Sequence, residues 1–344
     1  PARTGAERTR RRALVAADAE RQTRPIALSR RVIRPLADFL RLEAAAGVLL
    51  VVAAAVALVW ANGPLGDTYT DLWATVVDLP GAALDLDLRH WLNDGLMSLF
   101  FLVVGMEIKR ELVEGELRDP RQAALPIIGA LGGMIVPAAI YAALNAGAAT
   151  SKGWAIPMAT DIAIVTGVVA LLGRRLPSWI ALFLLALAIV DDIGAIIVIA
   201  VFYSEGVSVG YLAAAVGVLA LAAVARTFVT WVPILLVGGA ACWWFLFQAD
   251  VHPTLAGVAF GLLTPLTPRP QGDYVDASAN APRGEVSMLE WLEHVISPWT
   301  AFGVVPLFAL ANAGVRVPLD TIGDALSSRS AWGVVLGLVV GKLV

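Results

Sequence analysis

The stretch Trp179–Phe202 reads WIALFLLALAIVDDIGAIIVIAVF. As a helix it is long enough to cross a bilayer core, which takes about 20 residues at ~1.5 Å of rise each. Asp191 and Asp192 stand in its middle. An ionisable group at that depth costs at least ~2.5 kcal/mol even on the mildest insertion scale. Two adjacent carboxylates cost more, because each opposes the ionisation of the other. Such a pair makes sense where a cation meets it, whether a metal ion, a proton or a lysine. The stretch therefore reads as part of a carrier with an ion site at mid-membrane.

The rest of the chain supports a membrane setting. Of its 344 residues 58% are hydrophobic and 15% charged, with a mean hydropathy of +0.76. That balance excludes a soluble globular domain and points to an all-α polytopic bundle. The apolar runs are continuous, not alternating with a period of two, which argues against a transmembrane barrel. Cys242 is the single cysteine, so no intrachain disulfide can form. His90, His252 and His294 lie far apart without metal-ligand spacing, so a zinc enzyme is not indicated.

Residues 1–41 carry 11 Arg against four acidic residues, without stable periodicity. This arm reads as solvated, mostly disordered and cytoplasmic, not as a nucleic-acid binder. No signal peptide is evident, because the first apolar run begins near residue 42 behind an arm too long for an n-region. Ten apolar runs follow, at 42–61, 92–112, 123–146, 154–172, 179–203, 208–225, 231–248, 251–266, 291–314 and 331–344. The membrane domain is thus expected over 42–344. The chain starts at Pro1 and stops at Val344 inside an apolar run, which reads as a C-terminally truncated fragment. With the N-terminus in the cytoplasm, the cytoplasmic segments hold 20 of the 25 basic residues, as the positive-inside rule requires. Trp60, Trp91, Trp154, Trp179, Trp231 and Trp332 mark run ends, where interface anchors belong. Between the first two spans, 62–90 contains TVVDLPGAALDLDL, whose Pro-Gly turn suggests an outer β-hairpin. An exposed hairpin edge could pair with a second protomer.

Several further residues bear on the chemistry. In GWAIPMATDIAIVTG, Pro157 tends to break the helix, and Thr160 and Asp161 follow at once. Broken backbone at membrane depth is tolerated only where protein or a cavity satisfies it. Asp161 is then either a stabiliser of half-helix ends or a direct cation ligand. Consecutive helical residues point ~100° apart, so one Asp of the pair can face a cavity while the other meets a neighbouring helix. Ala188 and Gly194 are expected to leave room for a hydrated ion beside them. Carboxylates suit hard cations such as Na⁺ or protons. Lys342 is the one lysine inside an apolar run, and a buried lysine normally pairs with a carboxylate. Glu107, Glu111 and Glu114 cluster with Lys109 and Arg110 at the cytoplasmic end of the second span, either as a solvated helix end or as a cation funnel. Glu293 and His294 lie on the same side, where a histidine can titrate near neutrality. His252 stands at the outer end of the eighth run.

The motifs WLNDGLMSLFFLVVGMEIKREL (91–112), GWAIPMATDIA (153–163), LALAIVDDIGAIIVIA (185–200), HPTLAGV (252–258) and PLFALANAGV (306–315) resemble, in order, the NhaA family of bacterial sodium/proton antiporters. The resemblance implies an inverted-repeat transporter with discontinuous helices in the bacterial inner membrane, a fold for which this family is a named example. It implies that Asp192 is the central cation and proton carboxylate, with Asp191 as its partner and Lys342 as the salt-bridge partner. Thr160 and Asp161 match the broken-helix position. Glu107, Glu111, Glu293 and His294 match a pH-sensing cluster, and His252 a histidine of the pH response. The outer hairpin matches a dimer contact. Expected partners are Na⁺, H⁺ and Li⁺ as cargo, the bilayer and a second copy, with no cofactor. Two departures stand out: Glu290 replaces a basic residue of relatives, and Ser297 a second histidine. The second inverted repeat is cut off just past Lys342. Rival readings are an intramembrane aspartyl enzyme, whose two carboxylates would come from different helices, and a retinal-type pump using Lys342 as a Schiff base.

Overall fold

The computed structural model describes residues 45–79, 84–158, 178–203, 206–226, 232–266, 268–269, 286–317, 323 and 327–343. The expected Arg-rich arm therefore lies outside the described residues, as do Thr160 and Asp161. Each expected apolar run coincides with a helix except 154–172, most of which lies outside the described residues. The helices are α1 (Ala45–Asn62), α2 (Gly66–Trp73), α3 (Met97–Val113), α4 (Pro120–Leu144), α5 (Ser178–Phe202), α6 (Val209–Ala225), α7 (Val232–Gln248), α8 (Leu255–Leu263), α9 (Met288–Trp299), α10 (Val305–Asn312) and α11 (Arg329–Val339). Among the described residues, Ala45–Asn62, Pro120–Leu144, Phe183–Phe202 and Met288–Asn312 are long and apolar enough to cross a membrane. The last of these joins α9 to α10 through a π-helical stretch, Thr300–Val304. That stretch is bracketed by Pro298 and Pro306, each lacking the N–H an α-helix would use.

Local chemistry sets the helix starts. Asp119 caps α4, accepting from the Arg121 N–H at 2.9 Å, and Pro120 fills the first turn. At α9, Ser287 and Glu290 form a reciprocal capping box. Glu290, singled out above as a departure, thus has a structural task.

The segment 62–90 holds more than the expected pair of strands. It begins with α2, whose Tyr69 and Trp73 lie four residues apart and bury one face against Ala57, Ala61 and Ala311. The strands β1 (Val76–Leu79) and β2 (Leu84–Asp87) follow, antiparallel, with Val76 opposite Asp87 and Leu79 opposite Leu84. Asp87 then caps the turn Leu88–His90, which leads through π-helical Trp91–Leu96 into α3. This end of the bundle is fastened by polar contacts. The Tyr69 hydroxyl lies 2.8 Å from Ala311 O and accepts from the Gly314 N–H at 3.1 Å. Asn93 and Asn312 exchange side-chain amide bonds at 3.2 and 2.8 Å.

Beside that end, the other described helices form two groups. In the first, α3, α6, α7, α8 and α9 surround Met106, Cys242, Phe260 and Leu289, all buried. Its tightest seam joins α3 to α8. A Cβ at Gly257 would fall on Ser98 O, one at Gly261 on Leu102 O, and one at Gly105 on Val258 O. Gly257 and Gly261 form a GxxxG pair, the spacing that lets two helix backbones touch in a membrane protein. In the second group α4 packs on α5 through Ala130, Met134, Leu187 and Val190. On its other side α4 receives α11 through Gly333, Gly337 and Gly341, whose missing side chains make room for Tyr141, Asn145, Pro137 and Pro157. The two groups meet where Val104 and Ile108 of α3 press against Ile189 of α5, an apolar patch extended by Phe100, Leu185 and Ile193.

Because Gly257 is opposed by backbone, which cannot rotate away, Gly257→Val should destabilise the protein by at least ~2 kcal/mol. Gly217, with nothing within 4 Å of its Cβ position, is the control. In detergent, the melting temperature should fall sharply for Gly257→Val and stay nearly unchanged for Gly217→Val.

Candidate functional site

The Asp pair lies midway along α5, at the fourteenth and fifteenth of its 25 residues. Asp191 is 2% exposed, and Asp192 is half-buried. The ~100° step between them gives each carboxylate its own direction. Asp191 turns toward α11's end, where Lys342 Nζ stands 3.4 Å from its Oδ2. Lys342 is not in the helix. It occupies the turn after Val339, where the Gly341 N–H bonds back to Leu336 O at 3.1 Å. Its ammonium also donates to the backbone carbonyl of Met158. The lysine stem passes over Gly133 of α4, whose Cβ position is 3.8 Å from Lys342 Cδ and Nζ. A single cation therefore ties α5, the segment before residue 159 and the turn after α11 together, over a glycine that leaves space for it.

One expected feature is overturned. Gly194 was to leave room for a hydrated ion, but the space is taken by Met134, whose Sδ and Cε lie where a Gly194 Cβ would stand. Ala188 is likewise packed, at 1% exposure. The small residues of α5 serve helix packing here, since a methionine adapts to such gaps.

The stretch ahead of residue 159 is anchored at its start. Residues Ala149–Ala155 form a 3₁₀ helix. Trp154 packs edge-on to Phe202 with ring centres 5.2 Å apart, and the Tyr203 hydroxyl donates to Lys152 O at 2.6 Å. Asn145, fully buried, donates to Tyr141 O and Arg329 O and accepts from the Thr150 hydroxyl. These bonds fix both the entry to the Met158 carbonyl and the start of α11.

At the opposite end from β1 and β2 lies the charged group of α3. Arg110 Nη1 bonds both carboxylate oxygens of Glu293, at 2.7 and 2.6 Å, joining α3 to α9. Lys109 donates to Thr264 O, and Arg226 to Leu263 O at 3.1 Å, so two cations cap the last carbonyls of α8. Glu107 and Glu111 are half-buried on the same helix, with Glu111 folded over Gly115. His294 is exposed, next to Glu293 but on another side of α9. His252 is half-buried, at the start of the turn leading into α8. At the β1–β2 end, His90 Nδ1 lies 2.7 Å from Asp87 Oδ1. Burial raises the Asp87 pKa, but the backbone and side-chain bonds from His90 outweigh it and hold the carboxyl below its ordinary value. Among the described residues no three of His, Cys, Asp or Glu gather as a metal-ligand set.

Sequence reasoning did not find the Met158 carbonyl, Gly133 or the Arg110–Glu293 pair. A signal for the first two was present: G333-x₃-G337-x₃-G341 directly before Lys342 is a small-residue stripe of the kind that lets a helix approach closely.

The chain is similar to known proteins along most of its length. The family described as Na+/H+ antiporter 1 matches residues 37–344. The Na(+)/H(+) antiporter NhaA 2 of Sorangium cellulosum is 44% identical over 346 residues, covering 92% of this chain and 74% of that protein. NhaA of Nocardia farcinica is 46% identical over 320 residues, covering 91% and 73% respectively. NhaA of Vibrio campbellii is 43% identical over 311 residues, covering 89% and 73%. The chain spans about three quarters of the length of these relatives. With the matched segment taking in every helix described above, the chain belongs to the Na+/H+ antiporter 1 family.

Proposed function

We infer that this protein is a secondary Na⁺/H⁺ antiporter that exports cytoplasmic Na⁺ in exchange for external protons. The observation that carries the reading is the burial of Asp191 beside Lys342, with Asp192 at the next position, in the middle of an apolar helix. A carboxylate there is stable only when compensated. Lys342 compensates Asp191, and Asp192 takes either a proton or a sodium ion. Binding either ion excludes the other, which couples the two fluxes. If two protons exchange for one Na⁺, net charge moves and the membrane potential drives export. The relatives' names carry the same activity.

The finer assignments belong to the same proposal. The chain has the inverted-repeat transporter fold with discontinuous helices in a bacterial inner membrane, with its N-terminus and Arg-rich arm (1–41) in the cytoplasm and its membrane domain beginning near residue 42. Thr160 and Asp161, outside the described residues, contribute to cation and proton binding, and Li⁺ substitutes for Na⁺. The Glu107, Glu111, Glu293 and His294 cluster senses cytoplasmic pH, with His252 contributing from the other end. Arg110 belongs to that cluster, since it holds Glu293. β1 presents exposed Val76 and Val77, and this strand is the surface offered to a second copy. The aspartyl-enzyme reading is disfavoured by geometry: both carboxylates leave one helix at adjacent positions, so they cannot share a proton across a scissile bond.

Two outcomes test this. Asp192→Asn should abolish Na⁺-driven proton movement in everted vesicles. In the unaltered protein the apparent KM for Na⁺ should rise at least about tenfold for each pH unit below the pKa of the competing carboxylate, as one displaced proton requires, and more steeply if two protons are displaced. Exchange that survives the substitution, or a pH-independent KM, would overturn the competition mechanism. Separately, Lys342→Met should strand a buried carboxylate and cost about 3 kcal/mol. Adding Asp191→Asn should recover much of that loss in melting temperature. A double variant no more stable than Lys342→Met alone would mean that the pair is not an ion pair in the membrane.

A further inference from the structure

The helices α3, α7 and α8 leave a crevice of about 250 Å³ beside the GxxxG seam. It is larger than the ~150 Å³ apolar cavity that accommodates a benzene ring. Gly95, Leu99, Leu236, Gly239, Trp243 and Phe260 are among its walls. Three lining residues carry polar side-chain atoms, and each has its donor committed elsewhere. Trp91 Nε1 donates to Val77 O at 3.1 Å, while Trp243 Nε1 and the Ser98 hydroxyl both donate to Asp94 O, at 2.7 and 2.6 Å. The wall that faces the space is therefore hydrocarbon and aromatic ring. A water needs two to four polar partners to settle, and this wall offers none from those three donors.

The crevice opens onto a surface that is itself apolar. Of its lining residues, Leu99 and Leu236 are 40% and 45% exposed. On a polytopic chain such a surface contacts lipid tails, so what enters from that side is hydrocarbon. Two of its lining residues, Trp91 and Trp243, stack with ring centres 6.2 Å apart, and indole rings favour the level where tails meet headgroups. We propose that this crevice holds one acyl chain of a bilayer phospholipid as an ordered part of the packing between α3, α7 and α8. The chain fills space that the glycines leave open, and the tryptophan pair sets the depth at which it enters. Its occupancy is independent of cation exchange.

The test uses a filling variant that the backbone tolerates. A Cβ at Gly239 meets only the Phe260 ring, at 3.6 Å or more, so Gly239→Leu puts hydrocarbon into the crevice without a backbone clash. Gly217→Leu, on α6 and outside the crevice, is the control. The protein in vesicles containing a phosphatidylethanolamine with a diazirine near its tail end is irradiated, and the labelled peptides are mapped by mass spectrometry. Labelling should concentrate on the α7 segment 235–243, fall several-fold in Gly239→Leu and stay unchanged in Gly217→Leu. The melting temperatures of both variants establish that the fold is kept. Labelling spread evenly over all lipid-facing helices and insensitive to Gly239→Leu would overturn the proposal. So would a disulfide between copies formed by Leu236→Cys with no lipid label on α7, which would make the occupant a second protomer.

Discussion

The pairing of Lys342 with Asp191 is the contact on which the arrangement around α5 depends. Two carboxylates in an apolar helix are tolerable only if their charge is answered nearby. The answer comes from a residue about 150 positions later in the chain, delivered to within 3.4 Å by the turn after α11. The same ammonium reaches the Met158 carbonyl. It therefore holds the segment before the Thr160–Asp161 motif to the Asp-bearing helix. Losing the lysine would leave both a buried anion and a buried carbonyl to be satisfied by something else.

Glycine makes that delivery possible. Gly333, Gly337 and Gly341 let α11 and its following turn lie against α4, and Gly133 clears the path for the lysine stem. The other half of the bundle is built on the same physics at Gly105, Gly257 and Gly261. Lipid tails are as apolar as leucine, so helices in a bilayer gain little from hiding hydrocarbon. They gain from close approach and from hydrogen bonds that lipid cannot supply. Where the two halves meet, the contact is different in kind: branched and aromatic side chains of α3 and α5, with no glycine seam.

Much of this was legible in the sequence, and the failures have physical reasons. Continuous apolar runs gave the helices, because burial in lipid demands length and hydropathy before anything else. Lys342 was identifiable as the partner of an aspartate because a lysine inside an apolar run must have one. What composition hides is which gaps are filled. Gly194 looked like room for an ion, yet Met134 occupies that room from another helix. Glu290 looked like a charge departure, yet it closes the capping box of α9. The segment 62–90 showed its Pro-Gly turn, whereas α2 depends on a face of Tyr69 and Trp73 that only tertiary packing rewards. The bond from Lys342 to Met158 involves a main-chain carbonyl, which leaves no mark on a sequence.

The central claim is that Asp192 on α5, beside the Lys342-compensated Asp191, is neutralised by Na⁺ and H⁺ in turn. The direct measurement is proton release when Na⁺ is added to the purified protein in weakly buffered detergent solution. The account requires the medium to acidify on Na⁺ addition, by an amount that shrinks as pH rises above the carboxylate pKa and vanishes in Asp192→Asn. Na⁺ binding that releases no proton at any pH would contradict it.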